Sequence, residues 1–298
     1  KIYDIAFQVS NHDIAFKYRV YSQDNILCCI VKKEATGFML PEGSTTFLCP
    51  QTAPMGGFAR TSPSYETSYT VDDVTGKNGW GNGYTFPCLF KNEDKGWILI
   101  SETGVSSAYC GSRLLGKENG LYTIGFPQEG EYNGNGTVSP GIALPGETPW
   151  RTITVGKTLA PIVETTVMFD VVKPLYEASQ DFQYGCGTWS WIIGGDNSMN
   201  YDEQKRYIDF SADMGYSSVL VDALWDSWVG RDKIAELADY AASKGVALYL
   251  WYNSNGYWND APQSPRSIMN NIIMRRKEMK WMQSIGIRGI KVDFFGSD

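Results

Sequence analysis

Apolar positions in residues 1–180 alternate with polar ones or gather in short blocks: Ile5–Val9, Ile14–Tyr21, Gly96–Ser101 and Trp150–Val155. A period of two sends successive side chains to opposite faces of a pleated ribbon, so these segments predict β-strands. Turn-rich stretches separate them, among them Asn78-Gly-Trp-Gly-Asn-Gly83 and Asn133-Gly-Asn-Gly136. Recurring short strands with Gly/Asn punctuation and almost no helical periodicity predict an antiparallel β-sandwich over residues 1–180.

From Gly185 the rhythm becomes strand, loop, helix. Thr188–Ile192 reads as a first strand. Tyr201–Met214 has helical spacing, with Tyr207, Phe210 and Met214 placed to share a face. Ser218–Val221 is a second strand. Arg231–Lys244 is a helix with an Ile234, Leu237, Ala238, Ala241 stripe, closed by Gly245. Val246–Leu250, a helix over Pro265–Ser284 ended by Gly286, and Ile287–Val292 complete the series. Three strand–helix–strand crossovers in succession mean a parallel sheet. A complete (β/α)8 barrel needs about 250 residues. Residues 181–298 are therefore expected to hold the first four βα units of such a barrel, so that the chain begins inside its first domain and stops inside its second.

In such a barrel the catalytic groups stand at the carboxyl ends of the strands. The four predicted ends carry Trp189-Ser190-Trp191, Asp222 with Trp225, Asp226 and Trp228, Trp251-Tyr252-Asn253, and Lys291-Val292-Asp293. Indoles, carboxylates, an amide and an ammonium suit a sugar, which offers an apolar ring face and a circle of hydroxyls. Lys291 and Asp293 are two residues apart, so on a strand they point to one side. The ammonium would keep the carboxylate ionised, as a nucleophile needs. Asp293 is the first candidate for chemistry. Asp222, Trp225, Asn253 and Lys291 are candidates for holding the sugar, with Trp189 and Trp251 for stacking on it.

Charge removes several alternatives. A formal net charge of -7 and a pI near 4.9 leave no basic surface for nucleic acid. The longest basic run, Met274-Arg275-Arg276-Lys277, falls on a predicted helix and reads as a solvated face. The one histidine, His12, lies in a polar turn, which excludes His-rich zinc sites and His-dependent triads. The 6 cysteines form no CxxC pair, and both thiols and disulfides fit their spacing. No apolar run reaches the roughly 18 residues of a membrane span.

The Lys-x-Asp strand, with Trp-Ser-Trp before it and Asp222 between, resembles the α-galactosidase clan of glycoside hydrolases. Tyr65-Glu66-Thr-Ser-Tyr69, Ser101-Glu102-Thr-Gly-Val105, Gly187-Thr-Trp-Ser-Trp191 and Gly289-Ile-Lys-Val-Asp-Phe-Phe-Gly296 together resemble glycoside hydrolase family 97 over essentially the whole chain. The resemblance implies a calcium-dependent α-glycosidase exported to a bacterial periplasm. It implies Asp293 as the nucleophile of the retaining, α-galactosidase-type branch, and an acid/base glutamate on a later strand beyond residue 298, so that this segment alone would be inactive. It also implies one calcium ligand from the first domain, with Glu66 the first candidate and Glu102 the second. The substrate would be an α-galactoside or a related oligosaccharide. The alternatives are an inverting α-glucosidase of the same family, a β-L-arabinopyranosidase, and a non-catalytic carbohydrate-binding protein.

Overall fold

The computed structural model describes residues 1–51, 70–71, 83–118, 121–134, 136–179, 181–182, 184–254 and 261–294. These fall into two compact units, one running to Glu177 and the other starting at Ala178.

In the first unit, one antiparallel sheet runs through the strands Tyr3–Val9, Asp13–Val20, Trp150–Gly156, Gly96–Thr103, Tyr84–Asn92, Arg113–Glu118, Leu121–Gly125 and Gly37–Met39. Two stacked sheets were expected. Instead the strand Tyr84–Asn92 links the two sides of one sheet: Cys88–Asn92 pairs with the strand Gly96–Thr103, Tyr84 pairs with Leu114, and Ser44–Pro50 lies along it as well, while Cys28–Ile30 and Gly141–Ala143 form a separate pair. A shared strand lets a single sheet curl over its own core. Phe38, Leu48, Tyr84, Phe90, Ile100, Leu114 and Tyr122, drawn from across the strand order, form one buried cluster. Period-two burial is plain in the central strand, where Tyr84, Cys88 and Phe90 are buried while Pro87 and Lys91 are exposed.

A charged knot sits inside this unit. Arg151 has no exposed surface and makes a two-pronged contact with Glu34, at 3.0 Å from Nε and 2.6 Å from Nη2. Its Nη1 bonds Glu102 and donates to Ser112 Oγ at 2.9 Å. Burial works against the guanidinium charge, but the Glu34 and Glu102 carboxylates outweigh it and push the Arg151 pKa up. Residues distant in sequence are thus clamped to the strand Trp150–Gly156.

The second unit holds four parallel strands in sequence order: β1 (Gly187–Trp189), β2 (Ser218–Val221), β3 (Ala247–Asn253) and β4 (Gly289–Asp293). Three long helices intervene: α1 (Tyr201–Asp213), α2 (Arg231–Ser243) and α3 (Ile272–Ser284). Val219, Val221, Leu248 and Leu250 of the strands pack with Ile234, Leu237 and Ala241 of α2 and Met282 of α3. The predicted α2 stripe is buried as the pattern required.

Three local expectations are corrected. In α1 the buried face is Gln204, Ile208 and Ser211, while Phe210 and Met214 are about half exposed. Polar residues turn inward there because they find partners: Gln204 Nε2 donates to Ser190 Oγ at 3.0 Å and to the Ser198 carbonyl at 2.7 Å, and the Ser211 and Thr188 hydroxyls meet at 2.7 Å. Helix α3 begins at Ile272 rather than Pro265, because Asn271 caps it by accepting from the Ile273 and Met274 amides. The first strand stops at Trp189, and Trp191–Gly194 is a helical turn.

Candidate active site

Parallel pairing sets Trp251 beside Lys291 and Asn253 beside Asp293. Asp293 Oδ2 accepts from the Trp251 indole at 3.1 Å and lies 3.1 Å from the Lys291 ammonium. Its Oδ1 accepts from the Phe294 amide at 2.9 Å. Phe294 leaves the strand with φ +57°, a conformation costly for a side chain of its size. Ser254 holds that turn: its amide donates to the Asp293 carbonyl at 2.8 Å and its hydroxyl to the Phe294 carbonyl at 2.5 Å. Burial pushes the Asp293 pKa up, but the Phe294 amide, the Trp251 indole and Lys291 outweigh it and hold the carboxyl below the usual carboxylate value. Asp293 is therefore ionised at neutral pH and partly exposed.

Lys291 also lies 3.4 Å from Asp222 Oδ2, so one ammonium bridges two carboxylates. Asp222 is buried and oriented by its other contacts: the Trp189 indole donates to Oδ2 at 2.7 Å and the Ala223 amide to Oδ1 at 2.8 Å. The Lys291 ammonium rests 3.9 Å from the Trp189 ring centre. Asp222, Lys291, Asp293, Trp189 and Trp251 thus form one connected cluster at the ends of β1 to β4.

The tryptophans do not all do what their spacing suggested. Trp225 is fully buried, stacks on Trp281 at 5.8 Å and donates to the Trp251 carbonyl at 2.8 Å, so it is core rather than a sugar contact. Trp251 is 1% exposed and spends its N–H on Asp293, leaving no face for stacking. Asn253 is also buried, its amide donating to the Gln263 carbonyl at 3.1 Å. Residues 263–265 cover the end of β3: the Asn253 backbone N–H donates to the Pro265 carbonyl, and the Leu224 backbone N–H donates to the Ser264 carbonyl. Trp189 is half-buried, with Lys291 against its ring and Trp191 stacked 5.7 Å away at 17°.

Trp191, read from the sequence as part of the first strand's end, is the more open indole of the Trp189–Trp191 pair. It is 40% exposed, and its N–H is fixed by Asp196 Oδ1 at 2.9 Å, which leaves an immobilised indole next to the cluster. With the Trp-x-Trp spacing a strand would have sent both indoles to the same side of the sheet, whereas the helical turn lays one against the other.

Of the two implied calcium ligands, Glu102 is the one that the described residues include. Glu66 lies outside the described residues. Glu102 accepts from the Ser112 amide and hydroxyl as well as from Arg151, so its oxygens are committed. No group of three or more His, Cys, Asp and Glu that could hold a metal ion occurs among the described residues.

An ionised, partly exposed carboxylate beside an ammonium, in a cluster that also holds the Trp189 indole, offers the group types that a sugar-handling protein uses. The chain belongs to glycoside hydrolase family 97: the family's N-terminal model matches residues 1–174 and its glycoside hydrolase 97 model matches residues 182–298. It is 26% identical over 311 aligned positions to a probable retaining alpha-galactosidase of Streptomyces bingchenggensis, covering 99% of this chain and 43% of that protein. A retaining alpha-galactosidase of Bacteroides thetaiotaomicron is 27% identical over 173 positions, 52% of this chain and 24% of that protein. Among solved structures, a beta-arabinopyranosidase is 55% identical with a TM-score of 0.93, covering 99% of this chain and 47% of that one. A family 97 enzyme of Pseudoalteromonas sp. strain K8 shares the fold at 21% identity and a TM-score of 0.72, over 99% of this chain and 45% of that one. The chain thus spans less than half the length of these proteins.

Proposed function

We propose that the chain carries the first unit and the opening half of the (β/α)8 catalytic barrel of a retaining, exo-acting glycosidase, with Asp293 as nucleophile. The observation that carries this is the ionised Asp293 carboxylate, held at the end of β4 by an indole, an amide and an ammonium. A carboxylate so held can attack the anomeric carbon, forming a C1–O bond as the aglycone departs. Water then cleaves that bond and the starting configuration returns. The acid/base carboxyl would stand about 5–5.5 Å from the nucleophile in such a mechanism, and the family resemblance assigns it to a residue after 298. Lys291 would bind sugar hydroxyls with charge-assisted strength, and the buried Asp222 would hold its ammonium.

The substrate follows from shared stereochemistry. α-D-Galactopyranosides and β-L-arabinopyranosides carry their ring hydroxyls alike and differ by the exocyclic CH2OH. The 55% identity to a beta-arabinopyranosidase, against 26% to an alpha-galactosidase, favours the pentopyranoside, with the α-galactoside as the second reading. The test uses a chain of the relatives' full length, assayed with the two nitrophenyl glycosides, the first-formed anomer being read by NMR. Initial release of the β-L-arabinopyranose anomer, with kcat/KM higher than on the α-galactoside, supports the proposal. A higher kcat/KM on the α-galactoside moves it to the second reading. An inverted first product, or no cleavage of either, overturns it.

Lys291→Met gives a pH prediction. Lys291 is one of the groups that depress the Asp293 pKa, so its loss should move the acid limb of kcat/KM upward and lower the plateau rate. An unmoved limb and an unchanged rate would remove Lys291 from the site. Calcium and export to a bacterial periplasm remain part of this proposal through the family resemblance. Activity that survives exhaustive chelation unchanged would delete the metal. No helix among the described residues is long and apolar enough to cross a membrane.

A further inference from the structure

We propose that Trp251 is a positioning residue for the nucleophile, braced from behind by the buried Trp225, Tyr252 and Glu278, the last of them paired with the exposed Arg231. This rests on the retaining reading above and adds to it the group that keeps Asp293 aimed while substrate binds.

The indole N–H and the backbone carbonyl of Trp251 are both committed. Its indole donates to Asp293 Oδ2 at 3.1 Å, and its carbonyl accepts from the Trp225 indole at 2.8 Å. Trp225 is in turn immobile. Its ring stacks on Trp281 and meets Tyr252 edge-on at 5.7 Å and 74°. The Tyr252 hydroxyl donates to Glu278 Oε1 at 2.8 Å, and both Glu278 oxygens accept from Arg231 Nη2 at 2.8 and 2.9 Å. The Arg231 guanidinium lies 4.1 Å from the Trp281 ring centre, which closes the loop between α2, α3 and β3.

Trp251 and Lys291 both reach Asp293 Oδ2, but they are not equivalent. Lys291 is shared with Asp222 and is 30% exposed at its side chain, so an arriving sugar hydroxyl can recruit it. Trp251 is buried and cannot be recruited. When the ammonium turns to substrate, the indole N–H is the side-chain donor that still fixes the carboxylate's rotation. A neutral donor does this without cancelling the charge that must attack. The Trp225-to-Arg231 chain would matter because a donor aims an oxygen only as well as its own backbone is held.

Trp251→Phe keeps an apolar ring and removes the N–H. In the full-length enzyme, loss of one charge-assisted bond should lower kcat by about 10- to 100-fold, with KM changed less than about threefold and the acid limb of kcat/KM raised. Trp225→Phe should lower kcat by a smaller factor with Trp251 intact. A rise in KM with kcat and the acid limb unchanged would overturn the proposal in favour of direct sugar stacking. A second readout does not depend on activity or on a tryptophan variant folding. The Trp251 indole proton should shift in NMR as Asp293 titrates, and Asp293→Asn should abolish that titration. An indole proton that ignores Asp293 overturns the positioning role, whereas full activity in Asp293→Ala would instead overturn the retaining reading.

Discussion

Asp293→Ala, made in a chain of the relatives' full length, should lower kcat/KM by on the order of 10^4-fold or more, the scale seen when a covalent nucleophile is removed. The substitution takes away the only atom proposed to bond the anomeric carbon. Lys291 keeps its second carboxylate, Asp222, so the cluster should persist, and the circular dichroism spectrum and Tm should change little. With Asp293 as the nucleophile, the space left behind would face the anomeric carbon. Azide added to this variant should enter there and displace the aglycone, restoring part of the rate and giving a glycosyl azide of inverted configuration. Near-normal activity without azide would remove Asp293 from the chemistry. Rescue with a retained product would place the attack on another face.

Arg151→Ala should produce the largest loss of stability. The guanidinium is fully enclosed and neutralises part of the charge of Glu34 and Glu102, both of which approach it directly. Removing the cation leaves two carboxylates in the interior of the first unit with no compensating charge. Breaking a buried pair from one side costs about 3–5 kcal/mol, a large part of the stability of a typical domain. Arg151→Lys should recover only a fraction, because an ammonium cannot reproduce the two-pronged contact with Glu34 and also reach Glu102. Urea unfolding of the full chain, followed by fluorescence, measures both. A change below about 1 kcal/mol in the alanine variant would mean that water or a neighbouring group replaces the guanidinium. The same clamp bears on the metal question, since a Glu102 held by Arg151 and Ser112 is a poor calcium ligand.

Much of the second unit can be read from pattern. The α2 stripe at Ile234, Leu237, Ala238 and Ala241 repeats at the helical period and is buried, because the period is a property of the helix itself. Lys291 and Asp293 share a side for an equally local reason, the two-residue pleat of a strand. Face assignment in α1 failed because burial there follows hydrogen bonds to Ser190, Ser198 and Thr188, which no window along α1 contains. The first unit's sheet was legible strand by strand. That one strand serves several neighbours, so that the sheet curls instead of splitting in two, depends on pairings between distant segments.

The tryptophans draw the same line most sharply. Spacing along the chain could bring Trp189, Trp225 and Trp251 to the ends of parallel strands and place a carboxylate beside an ammonium, because strand periodicity and crossover handedness are local or nearly so. Which indole faces water was decided by what lies over it. Residues 263–265 cover the end of β3, Trp281 stacks on Trp225, and a helical turn lifts Trp191 into the open. Periodicity reports the side of an element on which a residue stands. Exposure and hydrogen-bond partners depend on residues far away in the chain, and only packing brings those together.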